Sequence, residues 1–111
     1  MEKVNQNDKE YRKGESGPKY LFRGPKIDWG VIRFLPGETL GKHYHERVEE
    51  TFFFLNGAPL MIVGNEEFRI SEGDAVRLDP ADVHDIVNDT DQVVDAVFIK
   101  HCYDPKDKVD A

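Results

Sequence analysis

The sequence predicts an all-β domain, a sandwich or a barrel. Three observations carry this. Short apolar runs recur at roughly even spacing, and Gly, Pro, Asn and Asp separate them. No segment sustains a 3.6-residue apolar period with caps, so no helix is expected.

Taken in order, residues 1–19 are polar and charged, with Gly14, Gly17 and Pro18. They are expected to form a flexible arm or a strand exchanged with a partner chain. Residues 20–103 form a single β domain, and 104–111 a C-terminal tail. Gly30-Val31-Ile32-Arg33-Phe34-Leu35 is a strand closed by Pro36-Gly37. Thr51 to Leu55 is a second, and Asn56-Gly57 suits a tight hairpin turn into Leu60–Val63. Turn residues then lead into Phe68-Arg69-Ile70, Ala75 to Leu78, His84 to Val87 and Val93 to Ile99. Within Val93–Ile99, Asp95 marks an outward strand face or an acid aimed into the cavity, and the outward reading is preferred.

Composition excludes several function classes. Fifteen Lys and Arg against 22 Asp and Glu give a net charge of −7, which repels phosphate backbones and argues against nucleic acid as a partner. No apolar run approaches the ~20 residues of a membrane span, and Met1 to Lys13 lack the apolar stretch of a signal peptide. Cys102 has no second cysteine to pair with, so the expected setting is a reducing cytoplasm.

The chemistry lies in His43-Tyr44-His45, Glu50 and His84. On a strand, residues two apart point the same way, so His43 and His45 share a face. In the next run Glu50, Phe52 and Phe54 share one face. A carboxylate beside two phenyl rings is costly to keep ionised unless a cation or hydrogen bonds compensate. Three imidazoles and a carboxylate form a mixed N/O set suited to a divalent first-row metal.

The spacing is Gly-x5-His-x-His-x4-Glu-x6-Gly from Gly37 to Gly57, then Gly-x10-His-x3-Asn from Gly73 to Asn88. In both stretches the chain resembles the cupin superfamily over about residues 31–101. It departs at Asp79, where the family usually has proline, and at Ala81, where it usually has glycine. The resemblance implies a double-stranded β-helix, or jelly-roll barrel, with metal ligands His43, His45, Glu50 and His84. It also implies a divalent transition metal (Mn, Fe, Co, Ni, Cu or Zn) and a homodimer. Glu49 competes with Glu50 for the acidic position, and counting back from Gly57 selects Glu50. Glu49 then points outward or supports the site from behind the ligands. Phe52 and Phe54 are candidate pocket lining. The expected function is a metal-dependent enzyme acting on a small polar molecule, of oxygenase, isomerase or lyase type. The alternative is a non-catalytic module that binds a carbohydrate or organic acid with the metal as anchor.

Overall fold

The computed structural model describes all 111 residues as two five-stranded antiparallel sheets packed face to face. The strands are β1 (Gly17–Arg23), β2 (Ile27–Phe34), β3 (His43–Tyr44), β4 (Glu49–Asn56), β5 (Leu60–Val63), β6 (Glu66–Arg69), β7 (Ala75–Leu78), β8 (His84–Val87), β9 (Val94–His101) and β10 (Val109–Asp110). One sheet runs β1-β2-β9-β4-β7 and the other β10-β3-β8-β5-β6. The only helical element is a single 3-10 turn at Gln6–Asp8. No helix is long and apolar enough to cross a membrane.

Alternation decides what faces inward. In β9, Val94, Ala96 and Phe98 are buried, and β4 buries Glu50, Phe52 and Phe54. With Ile32, Phe34, Met61, Ile70, Leu78 and Ile86 these apolar side chains form one core. Each fully buried large side chain contributes about 1.5–3 kcal/mol of transfer free energy.

The Asn56-Gly57 hairpin is not found. β4 lies between β9 and β7, whereas β5 lies between β8 and β6, so the chain changes sheets there. Gly57, at φ +81°, makes the turn, and a Cβ on it would lie 2.6 Å from Val94 Cγ2. Asn56 instead binds Asp95 through its side-chain amide, donating to Oδ2 and accepting from the Asp95 N–H. Asp95 is on the outer face, paired with Arg33 at 2.7 Å.

The two ends of the chain are built into the domain. β1 begins at Gly17, inside the stretch expected to be an arm, and pairs with β2 of the same chain. Its register shifts between Tyr20 and Phe22, a bulge after which Arg23, opposite the buried Asp28, takes the inward face. Opposite Tyr20, Gly30 lets the strands approach, since a Cβ would lie 2.2 Å from the Lys19 carbonyl oxygen. Ahead of β1, the Gln6 carbonyl accepts from Lys19 Nζ at 3.0 Å. Residues 104–111 carry β10, which adds to β3 through Val109 opposite Tyr44. A two-residue strand in a polar segment shows no apolar period, so the sequence carried no sign of it.

Candidate metal centre

His43 and His84 face each other directly across β3 and β8, which sets their rings 4.4 Å apart between centroids. His45, two residues on, presents its ring 5.0 Å from that of His43. Glu50 reaches in from β4 on the opposite sheet. One donor atom from each of the four residues lies within 4.8 Å of all the others. None of the four residues is more than 5 % exposed, so bulk water does not solvate the cluster.

Each ring is oriented from behind. Nδ1 of His43 donates to the Gly41 carbonyl at 2.7 Å, Nδ1 of His84 to the Asp82 carbonyl at 2.8 Å, and Nδ1 of His45 to the Asp107 carbonyl. A carbonyl only accepts, so each Nδ1 carries the hydrogen. In the neutral ring, Nε2 then presents a lone pair to the centre.

That arrangement crowds acceptors together. Glu50 Oε1 lies 3.1 Å from His45 Nε2 and 3.6 Å from His84 Nε2. His84 Nε2 is buried and has no hydrogen-bond partner. Without a cation, a proton on His45 relieves the closest of these contacts. Burial disfavours that proton, but the Glu50 carboxylate and the Asp107 carbonyl outweigh burial and raise the His45 pKa. Burial also pushes the Glu50 carboxyl upward, yet the hydrogen bond with His45, aided by the nearby His84 imidazole and the charge of Lys100, holds it well below the usual carboxylate range. His43, with burial dominant, is lowered to about 4. An orphaned buried nitrogen among convergent lone pairs is what a divalent cation would satisfy, so the residues present fit a metal.

The other candidate residues fall in different places. Phe52 lines the cavity, its ring 6.5 Å from that of His84. Phe54 lies one step deeper, in the core behind Phe52 and away from the cavity wall. Of the two positions open to Glu49, the structure shows the outward one, 3.5 Å from Arg77 Nε. Once Glu50 faces in, alternation leaves Glu49 no path to the centre.

Sequence reasoning missed three contributors. Asp107 seats its carboxylate on three successive backbone N–H groups, those of Glu46, Arg47 and Val48, at 2.8, 2.8 and 3.0 Å. It thereby shapes the loop between His45 and Glu50, but nothing in the polar tail signalled it. Lys100 and Tyr20 line a cavity of about 450 Å³ together with His43, His45 and Glu50. The alternation Val94, Ala96, Phe98 pointed to an inward Lys100, whereas Tyr20, in a stretch not read as a strand, faces inward through its register with Gly30.

Residues 30–100 match the family of the Cupin domain. An uncharacterized protein of Methanocaldococcus jannaschii is 37 % identical over 68 residues, which is 61 % of this chain and 54 % of that protein. The chain therefore spans about half the length of that curated relative. Among solved structures, an uncharacterized Klebsiella pneumoniae protein with a double-stranded β-helix domain superposes with TM-score 0.82 at 16 % identity, over 98 % of this chain and 96 % of that one. A putative sugar phosphate isomerase of Acidithiobacillus ferrooxidans reaches TM-score 0.65 at 26 % identity, over 68 % of this chain and 50 % of that one.

Proposed function

The chain belongs to the cupin family, and from that premise we propose that it is a metal-dependent enzyme acting on a small polar molecule, with His43, His45, Glu50 and His84 as the metal ligands. The carrying observation is the inward set of Nε2 lone pairs around Glu50, each ring held at Nδ1 by a backbone carbonyl. The metal is Mn, Fe, Co, Ni, Cu or Zn, all of which this donor set accommodates. A bound ion with open positions supplies Lewis-acid polarisation of a ligand oxygen or activation of water or dioxygen. The protein supplies orientation and dryness. Phe52 and Phe98 wall the cavity, and the three carbonyls fix the rings. Likeness to a putative sugar phosphate isomerase supports the enzyme reading.

One observation favours a binding module instead. Around the cavity, Asp28, Glu38, Asp104 and Asp107 are all engaged by arginine, serine or backbone donors. None of these carboxylates stands free as a general base. Cobalt(II) titration followed by visible absorption tests the metal centre. We expect one ion per chain in the wild type and none in His84→Ala, and unchanged stoichiometry in His84→Ala refutes the ligand set. Turnover of a bound small molecule by the loaded protein separates enzyme from module.

A dimer is proposed on the outer face of the first sheet. There Phe53, Leu55 and Ile99 are exposed, and Phe53, Val97 and Val31 form one cross-strand row. A contiguous apolar face of this kind marks an interaction surface, and a second copy is the partner proposed. The single exposed Cys102 supports a reducing, cytoplasmic setting.

A further inference from the structure

Lys100 occupies an unusual position. It takes the next inward place on β9 after Val94, Ala96 and Phe98, in a protein of net charge −7. Its neighbours across the sheet are Glu50 on β4 and Asp28 on β2. Asp28 accepts from the Gly24 N–H at 3.1 Å and pairs with Arg23 at 3.8 Å, and Glu50 belongs to the imidazole cluster. Lys100 itself forms no ion pair. Its one hydrogen bond goes to the Tyr20 phenol oxygen at 2.9 Å.

In that bond the phenol accepts, so its own hydrogen remains to be donated. The ammonium keeps two further N–H groups. Both groups line the cavity that His43, His45 and Glu50 of the metal centre also line. Arg23 and Arg12 stack over the Tyr20 ring at 4.0 and 5.8 Å, and Arg12 also forms no ion pair. The carboxylates around the cavity are committed, as shown above. Unused donors and positive charge therefore meet at one wall. An occupant that satisfies them brings negatively charged oxygen.

We infer that the cavity takes a small carboxylic acid, whose carboxylate is held between the Lys100 ammonium and the Tyr20 hydroxyl while its remaining polar group faces the His/Glu cluster. The second contact rests on the metal-centre reading; the first does not. Two adjacent donors match the two oxygens of a carboxylate. A phosphate dianion calls for more donors than this pair, and Arg23 is already engaged by Asp28.

The test is calorimetric titration of the cobalt-loaded and the metal-free protein with acetate, malonate and succinate. Each is paired with its neutral amide, and glycerol 3-phosphate is run alongside. At least one carboxylate is expected to bind about tenfold or more tighter than its amide, a difference of about 1.4 kcal/mol. Lys100→Met should remove that preference, Lys100→Arg should restore part of it, and Lys26→Met, which removes the same charge from the surface, should leave it intact. Tyr20→Phe, which deletes one oxygen, should weaken the carboxylate several-fold and the amide less. Equal affinity for acids and amides, an undiminished preference in Lys100→Met, or tighter binding of glycerol 3-phosphate than of every carboxylate overturns the inference. Absence of cobalt binding overturns the metal centre instead, and the acid-over-amide preference is then read on the metal-free protein.

Discussion

Replacing Asp107 by alanine tests how the chain end supports the metal centre. Three N–H donors converge on its carboxylate at 2.8–3.0 Å, while its backbone carbonyl receives Nδ1 of His45. Glu46 and Arg47 are exposed, so their N–H groups regain water when the acceptor is lost. Val48 is 2 % exposed and its N–H does not. An unsatisfied buried donor costs about 1–3 kcal/mol, and two rehydrated charge-assisted bonds add roughly 0.5–1 kcal/mol each. The expected loss is therefore about 3 kcal/mol, which for a domain of this size lowers Tm by roughly 10 °C. The carbonyl behind His45 remains in the variant but is no longer anchored by the carboxylate, so cobalt affinity should also fall about 10–100-fold.

Differential scanning calorimetry of the metal-free protein and a chelator-competition titration measure the two effects separately. Acid adds a third check. Burial acts to raise the Asp107 pKa, but the three N–H donors outweigh it and the net shift is downward. A carboxylate lowered on folding stabilises above its unfolded pKa, and that stability is lost as pH falls through the folded value. The gap between wild type and Asp107→Ala should thus be full near neutrality and shrink below pH ~4. A Tm change under about 2 °C with unchanged cobalt affinity would refute the argument, since the carboxylate would then be replaceable by water.

Other consequences follow from particular residues. Ala81 sits at φ +75°, in the left-handed region, and it is the only non-glycine residue there. Ala81→Gly relieves about 1–2 kcal/mol of strain against roughly 0.5–1 kcal/mol of added chain entropy, so urea denaturation should show a gain of up to about 1.5 kcal/mol. A loss in this variant contradicts the strain. Metal occupancy should decline as pH drops below ~6, because protons compete for the imidazoles, and the raised pKa of His45 favours its protonation. Full occupancy at pH ~4.5 in the presence of chelator contradicts the histidine ligands. Phe53→Glu with Ile99→Glu should convert a dimer to a monomer in sedimentation velocity, and a wild type that sediments as a monomer sinks the apolar-face dimer.

What the sequence made legible divides along a physical line. Inward and outward faces follow from a period of two, so Glu50 against Glu49, and Phe52 against the exposed Phe53, could be assigned without coordinates. The convergence of His43, His45, Glu50 and His84 was legible because motif spacing encodes register. The change of sheet at Gly57 was not, since a tight hairpin and a crossing between sheets call for the same turn residues. Only the contact with Val94, distant in sequence, separates them. Asp107 was hidden for a related reason. Its role is set by where three N–H groups of another loop point, and side-chain pattern carries no record of that. Ala81 joins the two cases. A substitution visible in the sequence as a departure from a family motif proves to lie at the one position where a side chain strains the backbone. Its own N–H reaches the His45 carbonyl at 2.6 Å, so the strained loop is tied to the segment that carries a metal-centre imidazole. If that tie holds the loop in place, Ala81→Gly should stabilise the fold without altering cobalt affinity.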